Sequence, residues 1–397
     1  ARRNVRDRSE ARFRLRQGRR RISAYSATCI PKDNQVRVLV VVEAIPPYCG
    51  GGEQVAWVHA VEMAKIHEVS VLTFGAHEDT FVRDAVTVYT LPGVRRRLLY
   101  YGTIGRSVLN TILRSLRPDV VHHHMPNVLS ACIGRGGWVT VSTIHDGTPE
   151  NELVQLGVAS RAQFLKFRAI RWLNIRKADV VTCVSRFSRD LMRSLYPKHS
   201  NKFVYIPNPI YERFFSPVAA PDGDYVLNFG RQIEMKMGVL LEVARQMPSR
   251  KFCFVGAGPM FESVKLPNVR FCGFCEHVEE YIDSAAVCVF PSKSENFPLV
   301  GLEAMARGKV VIAARRGFGE YIVHGENGYL LDSVDSATVM RAVREVLDDT
   351  GLRHRLAAAG RLTAERYRPG TIVSMYLHLY EQALHGGVQH ALQVCGE

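Results

Sequence analysis

Two apolar runs, AAVCVF (Ala285 to Phe290) and KVVIAA (Lys309 to Ala314), enclose a polar loop and a helix-forming segment. Runs this short and this apolar suit buried strands, so the stretch reads strand, loop, helix, strand. The loop opens at Pro291-Ser292 and carries Glu295; Glu303 follows after seven intervening residues, about two turns on, in a helix expected to begin near Leu299. A helix N-terminus offers unpaired N–H groups and a positive dipole end to an anion or a ring of hydroxyls. Ionised carboxylates only accept hydrogen bonds, so two of them here suit a ligand rich in hydroxyls, such as a sugar or a ribose. Gly317, Gly319 and the turn Gly325-Glu326-Asn327-Gly328 complete the segment.

The same order opens the chain. VRVLVVV (Val36 to Val42) leads to Gly50-Gly51-Gly52-Glu53, a helix expected from Gln54 to Lys65, and a second strand, EVSVLTF. Strand, glycine loop, helix, strand begins a doubly wound α/β domain. Glycines there let backbone N–H groups approach an anion, but the G-x-G-x-x-G spacing of a dinucleotide site is missing. A chain of 397 residues has material for two such domains. The expected division is a first domain at 36–209, a linker at 210–223, a second domain at 224–370, and a C-terminal helix in 371–397.

Other candidate site residues also stand at strand ends, where open α/β sheets hold their ligands. In the first half these are His122 and His124, after Pro118-Asp119-Val120-Val121, and His145, after WVTVSTI. Metal ligation is the alternative use for such histidines, but none has a carboxylate or histidine partner at i+3 or i+4. In the second half YVLNFG ends at Gly230, and Arg231 and Lys236 follow. Two cations just past a strand suit a diphosphate. KFCFVGAGPM supplies Gly256 and Gly258, and NVRFCGF supplies Gly273 beside Phe274.

Composition sets the class. Residues 1–35 carry +8 of the net +14, so the body of the chain is only mildly basic and the charge does not argue for nucleic acid. That segment has few apolar residues and reads as a mobile tail, either a solvated extension or a contact for an acidic surface such as anionic lipid. Its arginine-rich start is not followed by an apolar h-region, so no secretory signal is expected. Nine scattered cysteines favour reduced thiols in the cytoplasm, and Cys272 and Cys275 read as packing rather than half a zinc site. Arg95 to Tyr101 sets arginines beside aromatic and leucine residues and reads as a solvated helix start, with a membrane-surface contact as the alternative. The basic segment Ala159 to Lys177 reads as a helix without a clean membrane face.

The full string strand–Pro-Ser–Glu-x7-Glu–Ala-Met-Ala–x-Gly–strand–Gly-Glu-Asn-Gly closely resembles the donor-site signature of the family-4 retaining glycosyltransferases. These have the GT-B fold, two Rossmann-like, doubly wound parallel-sheet domains facing across a cleft. The similarity runs from about Val36 to Leu384. It implies that Gly230, Arg231 and Lys236 bind the pyrophosphate of a nucleoside-diphosphate sugar and that Gly256 and Gly258 form a nucleotide-side turn. It further implies that Gly273 and Phe274 lie beside the base, Glu303 on the ribose and Glu295 on the transferred sugar. Backbone amides after Phe297, at Leu299 and Val300, support sugar or phosphate. Gly50, Gly51, Gly52, His122, His124 and His145 fall on the acceptor and phosphate side, and His145 positions donor or acceptor.

The expected reaction is retaining glycosyl transfer, with a uridine donor favoured over a guanosine one. The acceptor is a glycan, a lipid-linked glycan or a small metabolite, and neither metal nor other cofactor is required. The C-terminal helix is expected to cross back to the first domain, and the cytoplasmic enzyme to touch the inner membrane face peripherally. Met237 departs from the family's usual glycine, and Ile66 and Pro209 from glycines at two turns. The competing classes are a non-catalytic sugar-nucleotide binding module and a sugar-phosphate isomerase or phosphorylase of similar architecture.

Overall fold

The computed structural model describes residues 35–47, 49–94, 97–103, 105–124, 127–147, 161–216, 223–258 and 264–386. The basic tail, Arg95 and Arg96 lie outside these residues. The first sheet contains β1 (Arg37–Val41), β2 (Glu68–Gly75), β3 (Asp79–Arg83), β4 (Val86–Pro92), β5 (Val120–His124), β6 (Val139–Ile144), β7 (Val180–Cys183) and β8 (Phe203–Tyr205). Their spatial order is β3-β4-β2-β1-β5-β6-β7-β8, parallel throughout except for the edge pair β3 and β4. The second sheet contains β9 (Tyr225–Phe229), β10 (Lys251–Val255), β11 (Val269–Phe271), β12 (Ala285–Phe290), β13 (Val311–Ala314) and β14 (Tyr329–Leu331). It is wholly parallel, in the order β11-β10-β9-β12-β13-β14.

Parallel strands covered on both faces need continuous apolar runs, and this is why β1 after Arg37 and the whole of β12 read as unbroken apolar residues. Residues of alternate parity feed opposite cores. Val38 and Val40 enter one core of the first sheet, while Leu39 and Val41 enter the other. Each full burial of a valine or leucine stabilises the fold by about 1.5–3 kcal/mol.

Five helices matter for the site: α1 (Gly51–Met63), α2 (Arg186–Leu195), α3 (Glu234–Gln246), α4 (Leu299–Ala306) and α5 (Pro369–Glu381). In sequence α5 follows the second sheet, yet its Ile372, Val373, Tyr376, Leu379 and Tyr380 are buried with Val38, Val40 and α1 in the core of the first. The segment read as a linker is not a free connector in its first half. Glu212–Phe215 forms a 3₁₀ turn, and Phe214 and Phe215 are buried with the core of the second domain. The strand read from KFVYIPNP is confined to three residues, because Pro207 and Pro209 lack the N–H groups that would extend it.

The chain therefore passes between domains twice, and the two crossings are stitched together. Ile210 N–H donates to the Tyr367 carbonyl at 3.1 Å. Arg368 pairs with Glu212 and lies 4.0 Å over the Phe215 ring.

In each sheet the strand order reverses direction beside the first strand of the domain, between β1 and β5 and between β9 and β12. Ligand crevices open at the carboxyl ends of strands at such switch points. Gly256, just past β10, is held at φ +134°, and a β-carbon there would fall 1.8 Å from the Gly230 carbonyl oxygen. We expect Gly256→Ala to destabilise the protein by more than about 2 kcal/mol, read as a lower urea midpoint. An unchanged midpoint would show that the turn relaxes freely.

Candidate active site

On the second domain, β9 gives way at Gly230 to the exposed Arg231, and α3 begins three residues later. Lys236 lies in the first turn of α3, and its Nζ sits 2.7 Å from Glu295 Oε1. The two side chains are 28% and 15% exposed, so the pair is partly withdrawn from water and stronger than a free surface ion pair. Met237 is buried in the core beneath α3, which removes it from the polar rim where glycine is usual.

The loop that carries Glu295 is fixed along its length. Lys293 N–H donates to the Met235 carbonyl at 3.0 Å, and Tyr321 Oη donates to the Pro298 carbonyl at 2.6 Å. Phe297 is buried with its ring centroid 5.5 Å from that of Tyr321 and 5.7 Å from that of Tyr367. Its side chain anchors the loop. Helix α4 then starts at Leu299, leaving the N–H groups of Leu299 and Val300 without partners inside the helix.

Glu303 lies one turn along α4 and is buried; burial raises its carboxyl to about 7, partly offset by Arg213 and reinforced by Glu279. The Gly256 N–H donates to the Gly273 carbonyl at 2.6 Å, which aligns the turns after β10 and β11, and Phe274 beyond them is 55% exposed. Gly258 is tight against this bed, since a β-carbon there would meet the Gln232 carbonyl oxygen at 1.8 Å.

On the first domain the glycine run is not a loop. Gly51, Gly52 and Glu53 form the first turn of α1, with Gly50 in extended conformation as its N-cap. Glycine tolerates that cap geometry, and first-turn N–H groups need no helical partner. A β-carbon at Gly51 would lie 3.8 Å from Leu299 Cδ1, so the N-termini of α1 and α4 converge across the cleft. Val300 is adjacent to Gly230 in the same way, at 3.4 Å.

Asn296, next to Glu295, bridges to the first domain. Its Nδ2 donates to the His145 carbonyl at 2.8 Å, and its Oδ1 accepts from Ser185 Oγ. The Glu320 carboxylate accepts from Arg186 N–H and Phe187 N–H, each at 3.1 Å, at the start of α2. Sequence reading identified neither residue, since their partners lie 111 to 151 positions away.

The histidines require a correction. His145 follows β6 and is the partly exposed member. His122 and His124 were expected on the acceptor side, but both are fully buried because this parity of β5 faces α1 and α5. His122 is engaged on both ring nitrogens, by Tyr380 Oη at 2.5 Å and by Thr143 Oγ1 at 2.6 Å. His124 lies behind His145, with Nδ1 3.1 Å from His145 Nε2. The fold also adds a residue that sequence reading missed: His59 of α1, fully buried, whose Nδ1 is 3.4 Å from His124 Nε2. Nothing in WVHAVEM distinguishes it from a core position.

Two Rossmann-like domains with paired helix N-termini at their switch points have the GT-B architecture. The family model described as Glycosyltransferase Family 4 matches residues 49–213, and that described as Glycosyl transferases group 1 matches residues 223–349. The chain belongs to the family-4-type GT-B glycosyltransferases. It is 21% identical over 360 residues to an uncharacterized glycosyltransferase of Methanocaldococcus jannaschii, covering 85% of this chain and 95% of that one. It is 29% identical over 271 residues to glycogen synthase of Mycobacterium tuberculosis, covering 62% and 64%. Among solved structures, sucrose-phosphate synthase from Thermosynechococcus elongatus superposes with a TM-score of 0.73 at 20% identity, over 89% of this chain and 100% of that one. Anabaena HepE in complex with UDP-glucose superposes at 0.67 and 18% identity, over 86% and 98%. No helix among the described residues is long and apolar enough to cross a membrane.

Proposed function

We propose that this glycosyltransferase moves a sugar from a nucleoside-diphosphate donor, UDP by preference, to an acceptor hydroxyl with retention of configuration. The observation that carries the reading is the convergence at one place of the α1 and α4 N-termini, Arg231, and the Lys236–Glu295 pair. Both dipole ends and both cations favour an anion there. The solved Anabaena relative holds UDP-glucose, which supports the same donor class here.

The bond from the sugar C1 to the β-phosphate oxygen breaks as the acceptor oxygen bonds to C1 on the same face. The acceptor proton passes to an oxygen of the departing diphosphate, whose charge Arg231, Lys236 and the helix amides stabilise. These groups leave no charge that a metal or further cofactor must supply. Glu303 accepts from the ribose hydroxyls. Glu295 accepts from hydroxyls of the transferred sugar and, in this reading, is not a covalent nucleophile. The acceptor is a glycan, a lipid-linked glycan or a small metabolite held by the first domain.

Calorimetric titration with UDP, GDP and ADP, without added metal, tests the donor. UDP is expected to bind most tightly. Preference for GDP or ADP would reassign the nucleotide, and binding of none would sink the donor site. A radiolabelled sugar nucleotide then separates transfer from isomerisation or phosphorolysis by product.

A further inference from the structure

His59, His124 and His145 stand in a row, linked at 3.4 Å and 3.1 Å through Nδ1 and Nε2 atoms. We propose that His59 and His124 are positioning residues that fix the tautomer of His145, so that its Nδ1 carries the proton and serves a bound sugar as a hydrogen-bond donor. The choice of ligand rests on the glycosyltransferase reading above; the tautomer does not.

Burial holds all three rings neutral, with His59 and His145 pushed down to about 3 and His124 also far below its usual range. A neutral imidazole has one N–H and one lone pair. Each of the two links needs one proton, so all donors in the row must point the same way. Only two patterns satisfy this. Either His59 donates to His124 and His124 to His145, leaving N–H on His145 Nδ1, or the direction reverses and N–H is left on His59 Nε2.

Those two outer nitrogens are buried and have no hydrogen-bond partner among the described residues. A buried N–H without an acceptor is rarer and costlier than an unfilled lone pair. At His59, fully buried against Tyr376 with ring centroids 4.6 Å apart, no ligand can relieve it. His145 is the partly exposed residue of the row, so only at that end can water or a ligand oxygen approach the ring. The first pattern is therefore favoured, and His145 donates rather than acting as a base.

A metal site is the competing use of this cluster, since donor atoms of His59, His122 and His124 lie within 4.8 Å of one another. His122 would have to break its contact with Thr143 or Tyr380 to join it. The row of hydrogen bonds requires no such change.

Nitrogen-15 NMR of histidine-labelled protein, with His145 assigned by His145→Gln, reads the tautomer directly. The wild type should show His145 protonated on Nδ1. His59→Phe should redistribute that signal and lower kcat by up to about 10²-fold with donor KM unchanged. His59→Asn, whose amide replaces the Nδ1 donor, should restore both. A wild-type His145 protonated on Nε2 would overturn the proposal, as would an unmoved signal in folded His59→Phe or stoichiometric zinc in the purified protein. If the wild type transfers no sugar, the tautomer measurement still decides the proposal, and only its ligand is lost.

Discussion

Lys236→Ala is expected to lower turnover by about 10²–10³-fold, equivalent to roughly 2.7–4 kcal/mol of transition-state stabilisation. The reason is where the charge develops. Lys236 is paired with Glu295, and in the proposed reaction a donor diphosphate would compete for that ammonium as negative charge builds on the leaving group. Glu295, only 15% exposed, loses its counter-charge in the variant, so some loss of stability accompanies the loss of turnover and a thermal melt checks that the variant is folded in the assay. Lys236→Arg keeps the charge and alters its shape, and should fall between the two. Single-turnover transfer from a labelled donor measures the effect, alongside UDP affinity. Turnover near that of the wild type would remove Lys236 from the site.

The second large effect is a pH dependence of stability. The folded protein keeps the Glu303 proton up to about pH 7, whereas the unfolded chain releases it near the ordinary value of 4.5. Between these values the folded state binds more protons, so stability falls as pH rises, by on the order of 3 kcal/mol in total by pH 8. Glu303→Gln carries no such slope. Its advantage over the wild type should be absent at pH 4 and largest at pH 8 in urea denaturation, while donor affinity is lost because the amide cannot match a carboxylate accepting from two hydroxyls. Parallel stability curves for the two proteins would contradict the buried, raised carboxyl. Saturating nucleotide should flatten the wild-type slope, since ribose hydroxyls favour the ionised form.

The two domains were legible because each buried parallel strand announces itself as an apolar run, and because the Glu295-to-Gly328 string is long and specific. Elements whose local chemistry departs from the rule were not. The β3–β4 hairpin turns at Asp84 and Ala85, both at positive φ, where Asn-Gly would have advertised the turn. The helix start at Gly51 was masked by three consecutive glycines, which read as loop. Phe214 and Phe215 sit among polar and proline residues, so their anchoring in the second core had no periodicity to reveal it. At the site, Arg231 with Lys236, and Glu295 with Glu303, each fall within one short motif and can be read pair by pair. His59, Asn296 and Glu320 take their meaning from partners more than sixty residues away, which only the folded chain supplies.

The doubled passage of the chain between domains, with Ile210 bonded to Tyr367 and Arg368 clasping Glu212 and Phe215, has a mechanical consequence. A single connector would act as a swivel, free to twist and splay. Two connectors laced side by side act as an axle, and leave one soft rotation while resisting torsion. Opening for substrate entry should therefore retrace a single arc, and each return should bring Asn296 and Glu320 back onto Ser185, His145 and the start of α2 in the same register.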